Sequence, residues 1–183
     1  MTRKAPFEIV ASRVAYENPW IQLFEHRIKT RSGRDGLYGI LKCRHHGVAV
    51  IPYEAGNIWL VGQYRVSLES HTWEIPKGGS PPPETPVETA RRELREETGF
   101  DASEFLELGR LHLANSLTDE RAVIVLARGL RPGPSAPDET EEFQLRKISL
   151  EEAYAAAKSG ELTDAVTVYA ILRLVLMRSE GLL

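Results

Sequence analysis

The sequence predicts a mixed α/β fold with a β-rich N-terminal part, and three observations support this class. The chain has 183 residues, of which 42% are hydrophobic and 27% charged, as in one ordinary globular domain. Short apolar runs separated by turn residues fill the first third of the chain. Helical patterns with clear start and stop signals follow in the middle and at the end.

The N-terminal third is predicted to be β-structure because its apolar runs are rich in β-branched and aromatic residues. These runs cover residues 7–16, 20–30, 37–43, 48–53 and 58–61. Residues 32–36 form a turn cluster, and residues 54–57 predict a hairpin. Each run is short and continuous, which favours a sheet buried on both faces. We expect residues 1–44 to form an N-terminal β extension and residues 45–183 to form the main compact unit.

A loop and a helix are predicted next. Residues 78–84 contain three prolines, which neither a helix nor a central strand accepts. Thr85 suits the N-cap of a helix, and Glu88 completes a capping box three residues later. Gly99 suits the left-handed residue that ends a helix. We therefore predict a helix between Thr85 and Gly99.

The remainder of the chain is predicted to contain three strands and two helices. The strands cover residues 105–113, 121–127 and 143–148, with a loop at 131–137. Ser149 begins a second capping box, and Gly160 ends that helix. The last helix begins at Thr163 or Asp164 and carries one apolar face. Strands and helices in this order predict one mixed α/β domain.

Charge and composition exclude several classes of function. The formal net charge is −3, so a nucleic-acid partner is not expected. The single cysteine excludes an internal disulfide and a four-cysteine zinc site. No secretory signal is visible, and the apolar stretch 165–177 is too short to span a bilayer. We expect a cytoplasmic protein without a membrane partner.

Three carboxylates crowd one side of the helix predicted after Thr85. At 100° per residue, Glu93, Glu96 and Glu97 lie beside the apolar stripe instead of spreading over the solvent side. Like charges three and four residues apart repel each other. A hard divalent cation with oxygen ligands would relieve this repulsion. The alternative is an ordinary glutamate-rich surface helix.

The spacing of these residues matches a known motif. Gly78, Glu84 and residues 92–100 read Gly-x5-Glu-x7-Arg-Glu-Leu-Arg-Glu-Glu-Thr-Gly-Phe, which resembles the Nudix box at every defined position. Seven positions require one residue type, so a chance match is on the order of one in 10⁸ per window. Residues 63–65, 73–76 and 163–165 further resemble the ADP-ribose and nucleoside-diphosphate-sugar pyrophosphatase branch of the Nudix hydrolases.

This resemblance implies an α/β/α sandwich with a mixed sheet and an N-terminal antiparallel β extension that joins a homodimer. It also implies metal-dependent hydrolysis of a small nucleotide substrate, a nucleoside diphosphate sugar such as ADP-ribose, to a nucleoside monophosphate and a sugar phosphate. Residues 75–79 are similar to the loop of dinucleoside polyphosphate hydrolases, which gives one alternative. A non-catalytic nucleotide-sensing module is the other.

The same resemblance implies roles for the residues of the box. The metal ligands are Glu93, Glu96, Glu97 and the backbone carbonyl of Lys77. The expected ion is Mg²⁺, with Mn²⁺ able to substitute. Arg92 orients the carboxylates and, with Glu96, belongs to the catalytic group. Gly78, Glu84 and Gly99 are structural.

Residues outside the box complete the expected site. Glu141 is a further metal ligand, and Glu139 is the general base, although the sequence leaves open which of the two is the base. Arg65 reaches a substrate phosphate, since its planar fork suits that group. Glu74 lines the sugar or base pocket, and Trp20 stacks on a base. Each assignment has an alternative. Glu139 and Glu141 could belong to a solvated acidic loop, and Arg65 could be a charge on an edge strand. Glu74 could be a hydrogen-bonded strand residue, and Trp20 could be a core aromatic.

Overall fold

The structure is a computed structural model, and it describes residues 5–133 and 144–183. Within those residues it contains ten strands and three helices. In chain order they are β1 Phe7–Glu17, β2 Ile21–Thr30, β3 Asp35–Cys43, β4 His46–Glu54, β5 Asn57–Arg65, β6 Ser70–Glu74, β7 Lys77–Ser80, α1 Pro86–Thr98, β8 Phe100–His112, β9 Arg121–Pro132, β10 Gln144–Ser149, α2 Leu150–Ser159 and α3 Ala165–Ser179. No helix of this part of the chain is both long and apolar enough to cross a membrane.

The chain divides into two compact units. The first comprises the residues up to His46 together with His112–Arg121. It holds an antiparallel sheet in the order β1-β2-β3. Asp119 joins the segment His112–Arg121 to this sheet, because it accepts from the Cys43 backbone N–H and from Lys42 Nζ, both at 3.0 Å.

The second unit comprises Gly47–Leu111 and Ala122–Leu183. Its sheet follows the order β10-β5-β4-β9-β8, with β6 paired to β5 and β7 paired to β4. The sheet is mixed, because β4 runs parallel to β9 while β5 runs antiparallel to both β10 and β6. The predicted mixed sheet and the separate N-terminal antiparallel sheet are therefore confirmed.

The core of the second unit lies on both faces of the β4–β9 pair. Val48 and Val50 of β4 pack with Ala90 and Leu94 of α1 on one face. The alternate residues along the same strands are equally buried and face the opposite side. These are Ala49, Ile51, Ile124 and Leu126. A strand buried on both faces needs the continuous apolar run that the sequence shows here.

Three details of the predicted elements were wrong. The segment predicted as a loop at residues 78–84 begins with strand β7, which pairs with β4, and β6 was not assigned as an element, although a strand position for Glu74 was an alternative. β9 continues to Pro132, although residues 131–137 were assigned to a loop. Arg131 is held at that end by an ion pair of 2.9 Å to Asp101. Pairing with β5 and β4 stabilises β6 and β7, and the local composition of these short segments does not reveal that pairing.

Candidate active site

Helix α1 carries the carboxylates of the site, and its ends fix its rotation and length. The Glu88 backbone N–H donates to Thr85 Oγ1 at 3.3 Å, and Glu88 Oε2 accepts from the Thr85 backbone N–H at 2.8 Å. Gly99 takes a left-handed φ of 71°, and its N–H donates to the Arg95 carbonyl. The predicted capping box and glycine stop are confirmed. Burial of Ala90 and Leu94 then directs Glu93 and Glu97 to the edge of the core.

Arg92 is surrounded by carboxylates of the box. Its Nη1 donates to Glu93 Oε1 at 2.6 Å and to Glu96 Oε2 at 2.9 Å. Its Nε and Nη2 donate to the two oxygens of Glu84, each at 3.1 Å. Nη2 also donates to the Gly79 carbonyl at 2.9 Å. We call Arg92, Glu84, Glu93, Glu96 and Glu97 the Arg92 cluster.

This surrounding charge changes the titration of the groups involved. Hydrogen bonds to Glu84, followed by the charge of Glu93 and the hydrogen bonds to Glu93 and Glu96, raise the pKa of the Arg92 guanidinium. The Arg92 hydrogen bond in turn lowers the pKa of Glu84. Arg92 therefore stays charged, as arginine does in proteins, and it holds the orientation of three carboxylates.

Thr89 orients Glu84 and was not singled out from the sequence. Its hydroxyl is fully buried and lies 2.9 Å from Glu84 Oε2 and 2.8 Å from Ser80 Oγ. Glu84 thus ties the loop before α1 to Arg92 on the helix. The helical periodicity of the sequence could have identified Thr89, because it places this residue on the side of α1 next to Ala90.

Gly78 and Lys77 bring the loop before α1 against the carboxylates. A Cβ on Gly78 would overlap the carboxylate of Glu93 and would lie 2.6 Å from even its farther oxygen. The Lys77 backbone N–H donates to Glu97 Oε2 at 3.3 Å. Glu93 and Glu97 are each only 7% exposed. The glycine is required here because the carboxylate occupies the space of a side chain.

The donors of the Arg92 cluster fit a hard divalent cation. Carboxylate oxygens and a backbone carbonyl are the ligands that Mg²⁺ prefers. Among residues 5–133 and 144–183, no group of three or more His, Cys, Asp or Glu side chains is arranged to hold an ion. Arg92 Nη1 instead lies between Glu93 and Glu96. The chemistry of the donors therefore suits the ion, while a guanidinium neutralises two of them in this structure.

A second group of charged side chains is centred on Glu74. Arg65 donates to it through Nε at 3.0 Å and Nη2 at 2.6 Å, and Lys77 Nζ lies 2.5 Å from Oε2. Thr72 also donates to Glu74, and Lys77 Nζ pairs with Asp164 Oδ1 at 2.8 Å. We call these five residues the Glu74 cluster. The sequence analysis named Arg65 and Glu74 but not their contact with each other.

Glu74 remains ionised although it is only 3% exposed. Burial alone would raise the pKa of its carboxyl, but the hydrogen bonds from Arg65, Lys77 and Thr72 outweigh burial and lower the pKa to about 2. The Glu74 hydrogen bond likewise raises the pKa of Arg65. The predicted phosphate-binding arginine is therefore held in a fixed direction by a buried carboxylate.

The remaining predicted residues lie elsewhere. Trp20 belongs to the first unit, directly before β2, and is 68% exposed, with its backbone N–H donating to Asn18 Oδ1. Glu139 and Glu141 lie outside the residues that the structure describes. Gathered in the second unit are Arg65, Glu74, Lys77, Gly78, Glu84, Arg92, Glu93, Glu96, Glu97 and Gly99.

Comparison with known proteins gives concordant results. Residues 44–168 match the family described as the NUDIX domain. An ADP-ribose pyrophosphatase from Bacillus subtilis is 32% identical over 166 residues, which cover 88% of this chain and 89% of that protein. An ADP-ribose pyrophosphatase from Mycobacterium tuberculosis is 30% identical over 175 residues, which cover 91% and 82%. A crystal structure of an ADP compounds hydrolase superposes over the whole of both chains with a TM-score of 0.88 at 22% identity, which confirms the fold.

Proposed function

Since this chain belongs to the NUDIX family and is a pyrophosphohydrolase of that family, we propose that it hydrolyses the pyrophosphate bond of a nucleoside diphosphate sugar, ADP-ribose first. The products are a nucleoside monophosphate and a sugar phosphate. The observation that carries this proposal is the Arg92 cluster, in which three carboxylates from the box, those of Glu84, Glu93 and Glu96, contact one guanidinium. The names of the two ADP-ribose pyrophosphatases support the choice of substrate.

A divalent ion, Mg²⁺ with Mn²⁺ as a substitute, belongs to this proposal. Glu93, Glu96, Glu97 and the Lys77 carbonyl would hold it, with Glu141 as a further ligand. When bound, the ion stabilises charge on the phosphoryl oxygens and lowers the pKa of a bound water. Arg92 orients the carboxylates, and Gly78 leaves room for that of Glu93.

The remaining residues bind the substrate and move the proton. Glu139 accepts the proton of the attacking water, and Arg65 binds a phosphate of the substrate. Glu74 fixes the guanidinium of Arg65 before the substrate arrives, so little side-chain entropy is lost on binding.

A substrate panel tests this function. The protein with Mg²⁺ is incubated with ADP-ribose, ADP-glucose, GDP-mannose, UDP-glucose and diadenosine tetraphosphate, and the products are identified. We expect AMP and ribose 5-phosphate from ADP-ribose at the highest kcat/KM. Preferred turnover of the tetraphosphate would instead establish the dinucleoside polyphosphate hydrolase suggested by residues 75–79. Ligand binding without any hydrolysis would establish the sensing module.

The two loop glutamates are separated by a paired substitution. Glu139→Gln should lower kcat while the Mg²⁺ concentration for half-maximal activity stays nearly unchanged. Glu141→Gln should raise that Mg²⁺ concentration. The reverse pattern would exchange the two roles, making Glu141 the base.

A homodimer and a cytoplasmic location complete the proposal. β1 is an edge strand of its sheet, and its apolar side chains Ile9, Val10, Val14 and Tyr16 are 44–56% exposed. Exposed apolar edge strands favour pairing with another chain. Light scattering should give twice the chain mass, and Val10→Lys should shift it toward one chain mass. A nucleotide substrate and a single cysteine suit the cytoplasm.

A further inference from the structure

The segment Ile75–Lys77 connects the two charged clusters, and hydrogen bonds hold each of its residues. The Ile75 backbone N–H donates to Thr167 Oγ1 at 3.0 Å, and the Pro76 carbonyl accepts from the Val50 backbone N–H at 2.9 Å. The Lys77 backbone N–H donates to Glu97 Oε2. Three different elements, α3, β4 and α1, therefore fix three consecutive residues.

Asp164 at the start of α3 contacts this segment in two ways. Its Oδ2 caps the helix, because it accepts from the Thr167 backbone N–H at 2.9 Å and from the Thr167 hydroxyl at 2.6 Å. That hydroxyl is fully buried and accepts in turn from the Ile75 backbone N–H. Its Oδ1 pairs with Lys77 Nζ at 2.8 Å. One carboxylate thus holds the segment through a hydroxyl and through an ammonium group.

We propose that Asp164 is a positioning residue for the metal-binding carbonyl of Lys77 and for Glu97. By holding the Lys77 side chain and the Ile75 backbone, it fixes the peptide that precedes Gly78. This inference rests on the proposed ligand set of the active site. Outer partners that orient metal ligands contribute to affinity although they never touch the ion.

The competing explanation is that Asp164 only caps α3. Asn caps a helix about as well as Asp. Asp164→Asn therefore keeps the cap and removes the charge that pairs with Lys77. Ser149→Ala is the matched control, because Ser149 caps α2 in the same manner and makes its side-chain hydrogen bonds to Glu152. The two substitutions separate loss of a cap from loss of the ion pair.

The test measures Mn²⁺ binding to the full chain by titration calorimetry, without nucleotide, alongside the thermal midpoint. We expect Asp164→Asn to weaken Mn²⁺ binding about tenfold with little change in midpoint. Ser149→Ala should lower the midpoint by about 2–4 °C and leave Mn²⁺ binding unchanged. Lys77→Met keeps the backbone carbonyl, and combining it with Asp164→Asn should weaken binding no further than Lys77→Met alone.

Two results would overturn the inference by itself. Unchanged Mn²⁺ binding in Asp164→Asn would make the residue a helix cap only. Losses that multiply in the double variant would mean that Asp164 does not act through Lys77. Glu97→Gln distinguishes these two results from an error in the proposed metal ligands. If Glu97→Gln binds Mn²⁺ like the wild type, or if the wild type binds no Mn²⁺, the proposed site and this inference fail together.

Discussion

The two charged clusters differ in their balance of positive and negative side chains. In the Arg92 cluster one guanidinium contacts three carboxylates, and the fourth, that of Glu97, accepts from the Lys77 backbone N–H, so the cluster has a formal charge of −3. In the Glu74 cluster two cations, Arg65 and Lys77, balance two carboxylates, Glu74 and Asp164. Lys77 contacts both, since its backbone N–H binds Glu97 and its Nζ binds Glu74.

The negative charge of the Arg92 cluster indicates a site that needs a further cation, whereas the charges of the Glu74 cluster already balance each other. Four carboxylates in one cluster with a single arginine repel each other, and folding maintains them at a cost in stability. A buried carboxylate with two cations and a hydroxyl has its charge and lone pairs satisfied. We therefore assign the chemistry to the Arg92 cluster and the positioning of side chains to the Glu74 cluster.

The largest expected effect comes from removing one carboxylate of the unbalanced cluster. Glu97→Gln should lower kcat by about 10³-fold, because a group that places positive charge near the reacting phosphate is lost. Its amide oxygen can still accept from the Lys77 N–H, so the fold should persist. In metal-free buffer the free energy of unfolding should stay level or rise, because one repelling charge has gone. Steady-state kinetics and urea unfolding measure the two effects.

Mg²⁺ sharpens this test. The ion should raise the thermal midpoint of the wild type and have little effect on Glu97→Gln, because only the folded protein with intact ligands gains binding energy. Normal turnover by Glu97→Gln, or a thermal midpoint several degrees below that of the wild type without metal, would contradict the assignment of the chemistry to the Arg92 cluster.

How far the sequence predicted this arrangement depends on the range of the interactions. The helix α1 and its face of carboxylates were predictable, because the Thr85–Glu88 capping box, the Gly99 stop and the apolar stripe all lie within 15 residues. The Nudix-box spacing then identified the family. Local signals of this kind suffice wherever the interacting groups share one helix.

The Glu74 cluster was not predictable in the same way. Glu74 and Asp164 lie 90 residues apart, and only the packing of α3 near β6 and β7 brings their common partner Lys77 between them. β6 and β7 are short, polar strands whose pairing partners, β5 and β4, come from earlier in the chain. Their composition carries little β signal, so neither the strands nor the pairing of Arg65 with Glu74 could be derived.

A smaller effect, on stability, is expected in the balanced cluster. Glu74→Gln should lower the free energy of unfolding at pH 7 by about 3 kcal/mol, because the folded pKa of about 2 lies well below the ordinary value of 4.5. A lowered pKa stabilises the fold above pH 5, and that stabilisation is lost as the pH falls toward 2. Urea unfolding at pH 7 and at pH 3 should show the variant and the wild type converging in acid.

Glu104→Gln is the control for this pH dependence. Glu104 forms an ion pair with Arg128, yet its side chain is 51% exposed, so solvent screens the pair. Its removal should change the stability far less than Glu74→Gln at pH 7. A constant difference between Glu74→Gln and the wild type from pH 7 to pH 3 would show that the lost stability does not come from an ionised Glu74.

The smallest of the three effects is expected where the loop meets the Arg92 cluster. Gly78→Ala places a methyl group where the Glu93 carboxylate lies, so that carboxylate must move and lose its 2.6 Å contact with Arg92. We expect kcat to fall about tenfold. The thermal midpoint should change little, because alanine also restricts the unfolded chain and thereby offsets part of the lost contact.

Gly39→Ala tests whether that loss is specific to the site. A Cβ on Gly39 of β3 meets no atom within 4 Å, so the substitution has the same chemistry without the overlap, and activity should be unchanged. Equal kcat for Gly78→Ala and the wild type would show that Glu93 can leave Arg92 without consequence. The guanidinium would then merely neutralise the carboxylates, and the assignment of Arg92 as their orienting group would fail.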